Sequence, residues 1–351
     1  MAISRQDVDR AAGATIDDGA ETRDAQGQWT PRILQKGQPF VWPVQPKKLL
    51  RFLLGFPGFL WPFGLAAYFG LGAVTWVYLQ PGADDLSNFS TLSAAWILPM
   101  FARNLALLLI VAGTLHIVLY WRRVQDTRFK YNSQWPSTDG KAFLFNNQVK
   151  DNMFWSLASG VSIWTFYEVL MLWAYGNDLL PFAHLRTNPY WFVGLALVLP
   201  FWQDLHFYIT HRMSHWKPYY RAAHYVHHRN TNVGPWSGIS MHPLEHILYF
   251  TRWIILFLVP SHPIHMFFLM QRPALNPALG HSGFDQFVLD EDTGRTLSID
   301  TFFHYLHHKY FECNYGTATM PFDRWFGTFN DGTPEAWERM RNKRRLPPEA
   351  V

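Results

Sequence analysis

The first long apolar stretch of this 351-residue chain, Phe52 to Leu79, contains 28 residues without Lys, Arg, Asp or Glu. A helix of that length can cross about 30 Å of hydrocarbon and still tilt. Three further apolar segments follow at Leu92–Trp121, Met153–Tyr175 and Pro189–Gln203. The stretch Trp253–Met270 is also apolar, but VPSHPIH breaks it, which favours a re-entrant hairpin. The sequence therefore predicts an all-α integral membrane protein with about four transmembrane helices.

The composition agrees with a protein of the bilayer. Aromatic residues make up 17% of the chain and charged residues only 16%, against a typical quarter for soluble domains. Aromatic side chains commonly form belts at the two membrane interfaces. The net charge of +4 is modest and no basic run stands out, so nucleic acid is not an expected partner. The single Cys313 excludes an intramolecular disulfide and a cysteine-based zinc cluster.

Charges in the connecting segments predict the orientation. Basic residues precede the first apolar segment and follow the second: Lys36, Lys47, Lys48, Arg51, Arg122, Arg123, Arg128 and Lys130. The intervening QPGADDLSN holds two acids and no base. By the positive-inside rule, both termini and everything after Arg212 are expected in the cytoplasm.

Histidines are concentrated in one region, with 14 of 16 between His206 and His308. The hexamer HYVHHR begins at His224, and the nearly identical HYLHHK begins at His304. Positions i, i+3 and i+4 share one face of a helix, so the three histidines of each hexamer can converge. The i, i+4 pair in HRMSH can do the same. The eight convergent residues are His211, His215, His224, His227, His228, His304, His307 and His308.

Eight converging imidazoles predict a metal site. Protonated together they would repel one another, and neutral and buried they would lack partners, whereas neutral imidazole is a good metal ligand. One zinc ion takes at most four protein ligands, so eight nitrogens suit two metals sharing a cavity. Imidazole suits zinc, iron, copper or nickel, so ligand type leaves the metal open. Neither the HExxH helix of zinc proteases nor the Glu-x-x-His pairs of soluble di-iron bundles occurs in the sequence.

The boxes HRMSH, HYVHH and HYLHH, followed by NYGTATMPFDRWFGT, closely resemble the fatty acid hydroxylase and sterol desaturase superfamily over about 148–330. The resemblance implies that the eight histidines bind two non-haem irons. It also implies that O2 is reduced with two delivered electrons and that an unactivated C–H bond of a membrane lipid is oxidised. The segment NPALGHSGFD resembles the family's additional ligand region, which makes His281 a ninth expected ligand.

Several other residues are weaker candidates. Possible ligands, or residues supporting the ligands, are His206, His242, His246 and Asn276, with packing as the alternative. Carboxylates are expected to accept ring N–H bonds around an all-histidine site, and the nearest by sequence are Asp204, Glu245, Asp300 and Glu312. Glu168 lies inside an apolar segment, where an ionisable group is costly, and is a candidate for a substrate cavity.

The sequence thus predicts a polar, flexible tail at 1–45, a first transmembrane pair and linker at 46–147, a catalytic domain at 148–330 and a C-terminal tail at 331–351. A cytoplasmic helical lobe would hold the dimetal site, in a bacterial inner membrane or the endoplasmic reticulum. The favoured function is hydroxylation or desaturation of a sterol-like lipid. Fatty-acyl, sphingolipid or carotenoid substrates, a membrane zinc hydrolase and a metal transporter are the alternatives.

The sequence carries no haem-binding extension or flavin fingerprint, so electrons are expected from separate proteins. A cytochrome b-type protein, or a ferredoxin, with an NAD(P)H reductase would fill that role. Hydroxylation and desaturation share the same hydrogen abstraction, and the histidine boxes do not distinguish them.

Overall fold

The computed structural model describes residues 23, 27–31, 43, 45–54, 65–299, 301–317 and 319–345. The fold is mostly helical, as predicted, and one antiparallel hairpin of β1 (Gln286–Asp290) and β2 (Arg295–Ser298) lies among the described residues. The helices of the first half are α1 Pro46–Leu54, α2 Leu65–Val74, α3 Ala94–His116, α4 Gln148–Phe154, α5 Val161–Gly176 and α6 Pro189–Ser214. Those of the second half are α7 Lys217–Tyr219, α8 Tyr225–His228, α9 Pro243–Tyr249, α10 Pro263–Gly280, α11 Phe302–Tyr310, α12 Phe322–Trp325 and α13 Pro334–Arg345.

Three helical segments are long and apolar enough to cross a membrane. They are α3 with the π turn after it (Ala94–Trp121), α4 through α5 (Gln148–Gly176) and α6 (Pro189–Ser214). These match the second, third and fourth predicted segments. The first predicted segment includes residues 55–64, which lie outside the described residues, and it ends in a shorter apolar helix, Ala66–Leu79.

The predicted re-entrant stretch is two helices that meet at a break. A 3-10 helix occupies Thr251–Phe257, and α10 begins at Pro263. His262 caps α10, since its Nδ1 accepts the N–H of Ile264 at 3.2 Å. Residues 266–270 are fully buried, and α10 packs against α2, α3 and α5. This helix is therefore the centre of the core, and its far end reaches the histidine-rich region.

A buried charged pair links two of the apolar segments. Arg103 on α3 forms an ion pair with Glu168 on α5, and both side chains are buried. The Nδ2 of Asn104 and the Nε1 of Trp164 also donate to the Glu168 carboxylate, at 2.9 and 2.7 Å. Because paired and hydrogen-bonded charges are tolerated in a low-dielectric interior, this network explains an acid in mid-segment without a substrate.

Part of the N-terminal region packs against the rest of the chain. Trp29 is buried against Phe129 and Tyr131, and Gln28 is hydrogen-bonded to the hydroxyl of Tyr305 on α11. The guanidinium of Arg23 donates to backbone carbonyls of the linker after α3. Most of the predicted flexible tail lies outside the described residues.

Candidate metal centre

Four chain segments supply nine closely packed histidines. The last turn of α6 and its C-cap residue carry His211 and His215. A π turn at Tyr220–His224 runs into α8 with the next three, and α11 carries the last three. His281 directly follows α10 as its C-cap residue. A π turn widens the helix by one residue and is frequent at functional sites.

The nine imidazoles form two groups, within each of which the potential ligand atoms all lie within 4.8 Å of one another. Group one contains His211, His215, His224, His228 and His307. Group two contains His227, His281, His304 and His308. All nine are residues that the sequence singled out as ligands. Neighbours in sequence, such as His227 and His228, belong to different groups.

The ring nitrogens face one another. The Nε2 atoms are 3.1 Å apart between His215 and His224, and 3.0 Å apart between His228 and His307. In group two, the Nε2 atom of His281 lies 3.0 Å from those of both His304 and His308.

The Nε2 of His211 is buried and has no hydrogen-bond partner among the described residues. Buried polar atoms normally have partners, so converging, incompletely paired nitrogens fit a metal ion in each group.

The opposite nitrogen of several rings is held by an oxygen. In group one, the Nδ1–H groups of His211, His224 and His307 donate to the Tyr315 carbonyl (2.7 Å), to Glu245 Oε1 (2.6 Å) and to the Cys313 carbonyl (2.6 Å). In group two, His281 Nδ1 donates to the Pro277 carbonyl at 2.9 Å. Such bonds fix the tautomer that presents Nε2 to a metal.

Asp323 stabilises the loop whose Tyr315 carbonyl accepts the Nδ1–H of His211. Its carboxylate accepts the backbone N–H groups of Tyr315 and Gly316, both at 2.8 Å, and the hydroxyl of Thr328. A Cβ on Gly316 would lie 2.9 Å from that carboxylate, so the close approach requires glycine. The motif NYG…PFD therefore fixes the carbonyl that orients a histidine, a role that sequence analysis did not assign to Asp323.

The electrostatics favour neutral imidazoles. Burial, together with repulsion from neighbouring rings, holds the pKa of His227, His307 and His308 well below its usual range. Burial lowers the pKa of His281 to about 4. At neutral pH these rings are uncharged, and the neutral form is the one that binds a metal ion.

The weaker histidine candidates lie outside both groups. His206 Nε2 bonds the Thr251 hydroxyl at 3.0 Å. His242 caps α9 by accepting the N–H of Leu244, at 3.2 Å.

His246 is buried with both ring nitrogens occupied, by Ser159 Oγ at 2.9 Å and the Ile239 carbonyl at 3.0 Å. Asn276 Oδ1 contacts the hydroxyl of Tyr68 at 3.4 Å. These contacts favour structural roles for the four residues.

Of the four carboxylates proposed to support the ligands, Glu245 bonds a ligand histidine. Asp204 instead accepts from the Thr317 hydroxyl at 2.8 Å and lies 3.7 Å from Arg272. Glu312 is exposed, and Asp300 lies outside the described residues. Proximity in sequence did not distinguish the carboxylate that contacts a ligand, because Glu245 reaches His224 through the packing of α9 against the π turn.

A cavity of about 440 Å³, a volume that includes its opening to solvent, borders both groups. Its wall includes His211 and His224 from group one and His227, His281 and His304 from group two. The wall also contains the apolar side chains of Phe207, Met241, Leu248 and Pro277. Glu168 is not among its lining residues. The apolar part of this wall suits a hydrophobic ligand.

The region that contains the two histidine groups is similar in sequence to known proteins. Residues 196–328 match the model of the fatty acid hydroxylase family. The Delta(7)-sterol 5(6)-desaturase of Saccharomyces cerevisiae is 30% identical over 37% of this chain and 34% of its own length. That of Eremothecium gossypii is 23% identical over 57% of this chain and 58% of its own length. One from Gibberella zeae is 28% identical over 41% and 44%.

The chain thus matches between about a third and three fifths of the length of these relatives. No solved structure matches the chain.

Proposed function

Since this chain belongs to the fatty acid hydroxylase and sterol desaturase superfamily, we propose that it is a membrane-bound, O2-dependent di-iron oxidoreductase. It hydroxylates or desaturates a C–H bond of a hydrophobic lipid, with a sterol-like molecule as the favoured substrate. The two irons are held by the nine histidines, and residues 148–330 form the catalytic domain. A fatty-acyl, sphingolipid or carotenoid substrate is the alternative.

One observation carries the proposal, namely that a single cavity touches both histidine groups. A hydrocarbon bound there would lie against both metal sites at once. The names of the relatives support a sterol, because each is a Delta(7)-sterol 5(6)-desaturase.

The metal ions, the imidazoles and the groups that orient the rings have separate roles in this reaction. Two irons, when bound, supply reduction of O2 and an oxidant able to attack an unactivated C–H bond. The nine imidazoles would hold the two irons, and these rings are in the neutral form that ligation requires. The Tyr315 and Cys313 carbonyls and Glu245 orient three ligand rings, which fixes the geometry of group one.

The cavity wall positions the lipid and excludes water. Phe207, Leu248 and Pro277 contribute apolar surface beside the histidines. Exclusion of water protects a reactive site from side reactions, and a fixed substrate places the reacting carbon at one position.

Two electrons per O2 come from separate carriers, a cytochrome b-type protein or ferredoxin served by an NAD(P)H reductase. The positive-inside rule supports a cytoplasmic catalytic lobe and cytoplasmic termini, in a bacterial inner membrane or the endoplasmic reticulum.

The arrangement favours an oxygenase over the other classes. A catalytic zinc site uses about three protein ligands, whereas nine histidines converge here. A transporter places ionisable ligands along its membrane spans. Here only His211 of the nine lies within a candidate span, close to its end, and the buried acid Glu168 is already paired with Arg103.

The test is O2 consumption by iron-loaded protein in detergent or nanodiscs. With a reductant, we expect O2 uptake that depends on an added Delta(7)-sterol, and a sterol product with either a new hydroxyl or a new double bond. A His227→Ala/His307→Ala variant should lose the activity together with its iron. Iron-loaded protein that consumes no O2 with any sterol, acyl lipid, ceramide or carotenoid would contradict the proposal.

A further inference from the structure

The cavity beside the histidines contains polar groups that metal binding does not use. Four lining side chains carry oxygen atoms: Thr210, Ser214, Glu245 and Tyr249. Each of the four is more than nine-tenths buried. A small number of polar groups in a partly apolar cavity can fix the orientation and the identity of a ligand.

The three hydroxyl groups already donate their hydrogens to backbone carbonyls. Thr210 donates to the His206 carbonyl at 2.8 Å, and Ser214 donates to the Thr210 carbonyl at 2.9 Å. Tyr249 donates to the Pro273 carbonyl at 2.9 Å. A hydroxyl has one hydrogen and two lone pairs, so these oxygens can only accept further hydrogen bonds.

Glu245 provides the decisive atom. Its Oε1 accepts from His224 Nδ1 at 2.6 Å. Its Oε2 is buried and has no hydrogen-bond partner among the described residues. Leaving a buried polar atom unpaired costs about 1–3 kcal/mol, and more for a charged group, so a partner from the ligand is expected.

Because Oε1 already accepts from a ring N–H, the carboxylate offers Oε2 as a second acceptor, beside the three hydroxyl oxygens.

We infer that the cavity recognises a lipid through a hydrogen-bond donor, which binds Glu245 Oε2. The donor is a hydroxyl or an amide N–H within a few bonds of the carbon that reacts, because Glu245 also contacts a group-one histidine. This inference rests on the proposed function and narrows its substrate class. Sterols and sphingolipids carry such a donor, whereas acyl thioesters and hydrocarbon carotenoids do not.

The test measures binding rather than turnover. Metal-loaded protein is titrated with a Delta(7)-sterol, its 3-methyl ether and its 3-ketone, and separately with a ceramide and its fully N- and O-methylated form. The ether and the methylated ceramide keep the shape but lose the donor. We expect the donor-bearing member of one pair to bind at least about tenfold more tightly, as for a hydrogen bond to a charged group. The pair that shows the preference identifies the source of the donor.

Glu245→Gln reverses the polarity of the site. If the amide oxygen keeps the bond to His224, the amide nitrogen faces the cavity as a donor, and the preference should move toward the ketone. The same change at exposed Glu335 on α13 is the matched control and should leave the preference unaltered. Metal is kept saturating and is quantified in each sample. Thr210→Val, which removes one acceptor, is the second variant and should reduce the preference without reversing it.

Equal binding within both pairs, no binding of any of these probes, or wild-type preference for the ketone overturns the inference. Oxidation of an acyl lipid or carotenoid without a donor preference would overturn it while leaving the proposed function intact. Absence of iron and of O2 consumption would instead contradict the proposed function, whatever the binding preference.

Discussion

Two histidine pairs of identical spacing have different surroundings in this molecule. His211 and His215 are four residues apart at the end of α6, and His242 and His246 are four apart at the start of α9. The first pair joins group one, where Nε2 atoms face other imidazoles. In the second pair, His242 caps a helix and His246 bonds two protein oxygens.

Burial does not explain the difference, since His246 is as buried as any residue of the two groups. What differs is the partner of the second ring nitrogen. A histidine whose two nitrogens already bond protein oxygens has no atom left for a metal, whereas one whose Nε2 faces another imidazole does.

The sharpest test of this contrast uses the adjacent residues His227 and His228, which belong to different groups. We expect His227→Ala and His228→Ala each to lose one of two bound metals and to lower activity more than about a hundredfold, beyond the usual effect of a supporting residue. Elemental analysis of the purified proteins measures the metal. His246→Gln is the control, and loss of metal from this variant would contradict the placement of His246 outside the two groups.

The next effect concerns a residue that acts through a ligand. Glu245→Gln should weaken metal binding at group one about 10- to 100-fold, because the amide holds His224 less well than the carboxylate does. Group two should keep its affinity. Competition with a graded series of chelators measures both sites, and equal weakening of both groups would contradict the assignment.

A smaller effect is expected two contacts away from the metal. Asp323→Asn removes a charged acceptor from the N–H groups of Tyr315 and Gly316. We expect a loss of about 1–3 kcal/mol in unfolding free energy and a metal affinity lowered by less than in Glu245→Gln. Thermal unfolding and chelator competition check both. An affinity loss larger than that of Glu245→Gln would show that the loop matters more than the carboxylate.

His246 should have the smallest effect on metal binding. Its contribution should appear instead in how the stability of the protein depends on pH. Burial lowers its pKa to about 4, against about 6.5 in an unfolded chain. Between these values the unfolded chain binds the proton and the folded chain does not, so stability falls as pH drops from about 6.5 toward 4.

The contribution lost from pH 7 to pH 5 is about 2 kcal/mol. His246→Gln should therefore show a smaller drop in melting temperature over that interval than the wild type. An equal drop in the two proteins would mean that His246 does not titrate in this range.

The sequence predicted the apolar helices and the nine converging histidines because both depend on local periodicity. Uncharged length predicts a membrane helix, and i, i+3, i+4 spacing predicts a shared face. Local periodicity could not separate His227 from His228 into different groups, because the grouping depends on which other segment each ring meets.

The supporting residues were harder to predict for the same physical reason. Three of the four partners of ligand Nδ1 atoms are backbone carbonyls, at Tyr315, Cys313 and Pro277, and side-chain identity does not encode a carbonyl's direction. Glu245 was among several acids near the boxes, and only packing distinguishes it from Asp204.

Anaerobic titration of metal-free protein with ferrous iron shows how many irons the two histidine groups bind. If each group holds one iron, the wild type binds two ferrous ions per chain, and His227→Ala and His228→Ala each bind one. Saturation of the wild type at a single iron, or two irons retained in both variants, would contradict that arrangement.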